Sequence, residues 1–162
     1  MALNAATLNG NGLRDIGKRS KLLFELDRFS VDVAAIQETH FIPTDRFPAL
    51  EENFFIFSAF GTIFARGVSL LVRRTLNPRV NVVHADGAGR LVVADVTIGK
   101  QTVRVIAVYA PNNQGERNVF FRRLEAFLDC SHRLVAMGDW NAILDPNMDK
   151  GGRGARRGGR CE

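Results

Sequence analysis

Cysteine is scarce in this chain of 162 residues, and the two present, Cys130 and Cys161, lie far apart. A disulfide framework or a zinc site needs more thiols at closer spacing, so each reads as a plain thiol without a role. Long apolar runs are also missing, and no uninterrupted stretch approaches the roughly 20 residues that cross a bilayer. The opening MALNAATLNG has neither the basic start nor the continuous apolar core of a signal peptide. The expectation is a soluble, intracellular protein, nuclear or cytoplasmic, without membrane contact. No Walker-type glycine loop, CxxC pair or HExxH motif occurs, which leaves nucleoside triphosphate hydrolysis and zinc proteolysis without support.

Charge is present but unevenly placed. The net charge is +5, yet residues 150–162 hold Lys150, Arg153, Arg156, Arg157 and Arg160 against Glu162 and carry +4 of it. The remaining body is close to neutral, so the basic balance is weak support for an extended phosphate-binding surface. The sequence therefore divides into a body, residues 1–150, and a Gly/Arg-rich segment, GGRGARRGGRCE, over 151–162. That segment reads as a loop or frayed end, with phosphate contact through its arginines as the alternative.

Within the body, 46% apolar and 24% charged content fits one globular domain. Short runs rich in Val, Ile, Leu and Phe, punctuated by Gly, Pro, Asn and Asp, predict strands near 4–9, 32–37, 54–58, 67–73, 79–84, 90–97, 102–109 and 133–139. Two segments have helical spacing instead. In 15–29, Ile16, Leu23, Leu26 and Phe29 recur with Leu22 beside them, and Asp15 is placed to cap the start. In 116–130, Phe120, Phe121, Leu124, Phe127 and Leu128 share a face opposite Arg117, Arg122, Arg123 and Glu125. Strands interleaved with amphipathic helices imply α/β layers, with helices covering a twisted sheet.

The residues just beyond each strand are more informative. The first strand runs into Asn9 and Asn11, the second into Glu38, the seventh into Tyr109 and Asn112, and the last into Asp139 and Asn141. Ligands in open α/β sheets collect at the carboxyl ends of strands. Carboxylates with amide carbonyls are hard oxygen donors suited to Mg²⁺, with Mn²⁺ as an alternative, and amide and phenol groups can donate to phosphate oxygens. Metal-assisted phosphoester hydrolysis is the chemistry these types share. Taken singly, each has an ordinary reading: Asn-Gly pairs make turns, a Glu can end a strand in solvent, a Tyr packs, and an Asp after Gly caps a turn. Their occurrence in order is what points to a site.

In that order, LNGNGLRD (8–15), IQETH (36–40), GVSLLVRR (67–74), VYAPNN (108–113) and GDWNAILDPNMDK (138–150) resemble the endonuclease/exonuclease/phosphatase superfamily. The resemblance is nearest to the apurinic-type endonuclease domains of non-LTR retrotransposons and to exodeoxyribonuclease III-like enzymes. It implies a DNase I-like four-layer α/β sandwich and DNA as the partner. It further implies Glu38 as the principal Mg²⁺ ligand supported by Asn9 and Asn11, where some relatives carry Asp at the position of Asn11. Tyr109 would lie near the scissile phosphate, Asp139 would orient or activate water, and Asn141 would hold a phosphate oxygen. Asn112 would contact nucleic acid, and His40 is either an accessory phosphate contact or a surface histidine. Relatives continue to a late Ser-Asp-His segment, whereas His40, His84 and His132 here are not preceded by Ser-Asp. The chain is thus expected to supply roughly one sheet and part of its partner. Weak or absent turnover and self-association through uncovered strand edges are expected with it.

Overall fold

The computed structural model describes residues 2–142. The Gly/Arg-rich segment 151–162 and most of the final motif therefore lie outside the described residues. Among the described residues eight strands form, in chain order β1 Ala5–Asn9, β2 Val33–Gln37, β3 Phe54–Ala59, β4 Val68–Arg73, β5 Arg79–Ala85, β6 Leu91–Ile98, β7 Gln101–Tyr109 and β8 Arg133–Asp139. Three α-helices, α1 Ile16–Arg28, α2 Pro48–Asn53 and α3 Gln114–Glu125, and a 3-10 turn at Arg74–Leu76 complete the elements.

The strands divide evenly into two four-stranded sheets, ordered β1-β2-β4-β3 and β5-β6-β7-β8. Each sheet has one parallel pair, β1 with β2 and β7 with β8, and the connections that return these strands carry α1 and α3. The remaining pairs are antiparallel.

Near-continuous apolar runs arise because the inner strands are buried on both faces. Val33, Ala35, Leu70 and Val72 from the first sheet meet Val92, Ala94, Val105 and Ala107 from the second in the central core. The alternate residues Ala34, Ile36, Leu71 and Phe54 point outward beneath Leu22, Leu26 and Leu50 of α1 and α2. On the other side, Val93, Ile106 and Val108 pack under Phe120 and Leu124 of α3. The result is the expected α/β/β/α sandwich.

The helices depart from their sequence reading in detail. Asp15 does cap α1, its carboxylate accepting from the Lys18 N–H at 2.8 Å. Ile16 and Phe29, however, stand 73% and 62% exposed, and Leu22 and Leu26 alone of this helix are buried. An i,i+4 pair suffices for one helix crossing a sheet, and the end residues overhang it. Helix α3 begins earlier, capped by Asn113, and stops at Glu125, not at residue 130. Phe127 and Leu128 donate their N–H groups to Leu124 and Glu125, a tighter winding that turns Leu128 to solvent. The short α2 was not foreseen, although Pro48 at its first position and Glu51, which accepts from the Phe47 N–H at 2.9 Å, mark its start.

At the open edges, Leu8 on β1 and Val135 on β8 reach solvent. An apolar groove of about 550 Å³, lined in part by Leu8, Leu22, Leu26 and Phe29, separates β1 from α1. Among the described residues no helix is long and apolar enough to cross a membrane.

Candidate active site at the carboxyl edge of both sheets

The topology brings the carboxyl ends of β1, β2, β7 and β8 to one edge. The decisive contact crosses between sheets: the Tyr109 hydroxyl, at the end of β7, donates to Glu38 Oε1 at 2.9 Å. Glu38 directly follows β2 between two buried residues, Gln37 at 2% and Thr39 at 0% exposure. Gln37 is pinned by its amide, which donates to the Thr7 hydroxyl and the Ala35 carbonyl. Thr39 donates its N–H to Gly67 and accepts from Leu13. Glu38 itself is half-buried and adopts φ +52, a left-handed conformation that side chains rarely take.

Asn9 is the register partner of Gln37, and the loop after it continues alongside β2 through Gly10 N–H to Gln37 and Gly12 N–H to Glu38. The Asn9 side-chain carbonyl accepts from the Asn11 N–H at 2.9 Å, closing an Asx turn. Asn11 is exposed at φ +43, and its carbonyl receives the Lys18 ammonium. His40 is half-buried at φ +57, its ring set against Gly12, where an added Cβ would lie 3.1 Å from Nδ1. Its ring thus packs against the Asn9–Gly12 loop.

Asp139 is the register partner of Tyr109. Its carboxylate accepts from the Asn141 N–H at 3.0 Å, while the Asn141 side-chain amide donates to the Ala110 carbonyl at 2.8 Å. One amide proton of Asn141 and its carbonyl are left over from that bond. Asn112 is exposed on the connection into α3, where its backbone carbonyl accepts from Arg117. Left-handed non-glycine residues gather here: Asn11, Glu38, His40, Arg66 and Asn141 are five of the seven in the described chain. Such strain persists only where neighbouring structure imposes it, and it is characteristic of functional sites.

Electrostatics set the protonation of Tyr109. Burial, its bond to Glu38 and the nearby Glu38 and Asp139 charges raise the phenol to about 12, against the partial opposition of Arg90. Because the folded value lies above the ordinary one near 10, the stabilisation is complete below about pH 10 and disappears as pH climbs toward 12. Tyr109 is the sole tyrosine in the sequence, so alkaline titration of tyrosinate absorbance reads it directly. The expected midpoint is near 12 in the folded chain; an ordinary midpoint in folded protein would show that Tyr109 is neither buried nor bonded to Glu38 as described.

Sequence reasoning missed Arg90. Its guanidinium lies 5.5 Å from the Tyr109 ring centroid and donates to the Tyr109 carbonyl at 3.3 Å. Burial, and then the neighbouring Arg66 cation, hold its pKa below the ordinary value. Asp86 fixes the turn that delivers it, accepting from the Arg90 and Leu91 N–H groups. The overlooked signal is orientation: β6 runs antiparallel to β7, so its start lies where β7 ends.

For a divalent cation the donor set is sparse but suitable. Among the described residues no three His, Cys, Asp or Glu side chains converge. Glu38 Oε2 and the second lone pair of the Asn9 carbonyl are hard oxygen donors at this edge. A site with few protein ligands fits Mg²⁺, which retains water and takes substrate phosphate.

Residues 1–157 match the model of the Endonuclease/Exonuclease/phosphatase family. Over 149 residues the chain is 32% identical to the Transposon TX1 uncharacterized 149 kDa protein of Xenopus laevis, covering 90% of this chain and 11% of that one. Among solved structures, an AP endonuclease from Archaeoglobus fulgidus superimposes with a TM-score of 0.66 at 21% identity, covering 90% of this chain and 60% of the other. The endonuclease domain of TRAS1, a telomere-specific non-LTR retrotransposon, gives 0.65 at 16% identity, covering 88% and 60%. The chain thus spans a small part of the curated relative and about three-fifths of these solved chains.

Proposed function

Since the chain belongs to the endonuclease/exonuclease/phosphatase family, we propose that its carboxyl edge is a Mg²⁺-dependent phosphodiesterase site acting on DNA, of retrotransposon endonuclease lineage. The observation that carries this reading is the 2.9 Å bond between Tyr109 and Glu38, which joins the two sheets at the edge holding Asp139. Similarity to the TX1 transposon protein supports the lineage.

In this reading Glu38 and Asn9 hold the cation, with Asn11 beside them. When bound, Mg²⁺ supplies Lewis acidity at a phosphate oxygen and offsets the charge that develops there. Tyr109, a neutral phenol at physiological pH, donates a hydrogen bond that aims the Glu38 carboxylate. Asp139 orients water and accepts its proton. The free amide proton of Asn141 and the Arg90 guanidinium face the phosphate as donors, where preorganised groups lower the barrier without rearranging. Asn112 and His40 serve the nucleic acid outside this centre, the former by contact and the latter by bracing the Asn9 loop.

A second reading is DNA binding without turnover, favoured by the single carboxylate among the three proposed metal donors. Nicking of supercoiled plasmid by the purified chain separates the two. The expected result is slow nicking in Mg²⁺ that stops in EDTA; binding without nicking supports the second reading. Turnover of a soluble phosphomonoester without nicking would assign the site to small phosphoesters instead. Association of two copies through the β1 edge is proposed as well, and sedimentation velocity showing only monomer at high concentration would exclude it.

A further inference from the structure

The loop between β3 and β4, residues 60–67, stands beside the proposed site and exposes unusual side chains. Phe64 is 82% exposed, Ile63 41% and Phe60 38%. Single exposed apolar residues are ordinary, but three within one short loop form a patch that invites a partner.

The loop is built to hold this patch in place. Thr62 donates its N–H to the Ala65 carbonyl at 2.8 Å, and its hydroxyl accepts from Ala65 at 3.0 Å and Phe64 at 3.3 Å. At the neck the two arms touch through backbone, since a Cβ at Gly61 would fall 2.4 Å from the Ala65 carbonyl oxygen. The neck is then bonded to the site on both sheets. Gly67 and Arg66 accept from Thr39 at 3.1 Å and His40 at 3.0 Å, the residues after Glu38. Gly67 also donates to Gly89, the residue before Arg90, at 3.1 Å.

Two arginines stand where the neck of the loop is bonded to the site. Arg66, at the foot of the loop, is near enough to Arg90 for the two charges to repel. Two cations at the foot of a loop that exposes an aromatic ring match the two halves of a nucleotide, a charged backbone and a flat base. In intact duplex both faces of each base are covered by stacking, so a protein ring finds no free face. A nucleotide out of the stack offers one.

We propose that Phe64, with Ile63 beside it, is a stacking platform for an unpaired nucleobase next to the phosphate held at Glu38 and Tyr109. The chain consequently favours DNA with an unpaired nucleotide over intact duplex. This rests on the DNA-directed reading of the site.

The test uses the 162-residue chain in EDTA, with fluorescence anisotropy on a duplex and on the same duplex carrying a short central bubble with 2-aminopurine. Wild type is expected to prefer the bubble and quench its 2-aminopurine. Phe64→Ala should cut the bubble-to-duplex preference by about 5- to 150-fold, the span of one base–aromatic stack, and Phe64→Trp should retain it. An unchanged preference in Phe64→Ala, or none in wild type, overturns the platform. If Mg²⁺-dependent nicking survives in that case, the nuclease reading stands alone; if the wild-type chain neither binds nor nicks DNA, both fall. A change from dimer to monomer in Phe64→Ala with unaltered preference also overturns it, assigning the patch to a second copy of the chain.

Discussion

Replacing Glu38 with Gln is expected to reduce Mg²⁺-dependent nicking by on the order of 10²- to 10³-fold, the scale on which single electrostatic groups are felt in active sites. Gln keeps an oxygen that can accept from the Tyr109 hydroxyl, and it has nearly the same shape, but it removes the one carboxylate among the proposed cation donors. Glu38→Ala removes both. The two variants should therefore be equally inactive but differ in stability. Ala loses the inter-sheet hydrogen bond at a cost of about 0.5–1.5 kcal/mol, and Gln loses less. Parallel plasmid nicking and thermal unfolding read both quantities. Full nicking by Glu38→Gln would show that charge at this position is dispensable and would remove the basis for the cation site.

The second large effect is on folding. Gly138, next to Asp139, adopts φ +148 where β8 runs against β7, and an added Cβ would lie 2.0 Å from the Val108 carbonyl oxygen. That atom is backbone inside a buried strand, so it cannot swing away as a flexible side chain would. Strain in this conformation costs about 1–3 kcal/mol and overpacking a similar amount, so Gly138→Ala is expected to destabilise by about 4 kcal/mol. Against the usual range of about 5–15 kcal/mol for a domain this is a large share. Urea unfolding followed by circular dichroism should show a clearly lowered midpoint. A midpoint equal to wild type would mean that β8 is not seated on β7 as described, and Asp139 would lose its place beside Tyr109.

Much of the architecture was legible because strand formation here depends on local pattern. Val, Ile, Leu and Phe runs bounded by Gly, Pro, Asn and Asp located all eight strands to within a residue or two. Both long helices were found by their spacing, and Asp15 was recognised as a cap. The boundaries that failed depended on tertiary packing. Helix α3 stops at Glu125 even though Phe127 and Leu128 continue the apolar stripe, because the chain tightens there and Arg104 takes the Phe127 carbonyl. Ile16 and Phe29 fit the periodicity of α1, yet they lie at its ends, where no sheet reaches them.

The candidate site divides along the same line. Sequence alone supplied the chemical inventory proposed for it, because Asn, Glu, Tyr and Asp stand at or just beyond the ends of strands. It also determined the family expectation that the matched model bears out. Only the tertiary structure decided which groups meet. The Tyr109–Glu38 bond spans 71 positions and joins different sheets, and no local pattern encodes that distance. Arg90 and Arg66 were invisible for a related reason. They precede antiparallel strands, and the rule that ligands gather after strands overlooks residues brought to the same edge by chains running the other way. The left-handed backbone at Glu38 is likewise a product of packing. Gln37 and Thr39 are locked into the interior on either side, and the residue between them takes the conformation that remains.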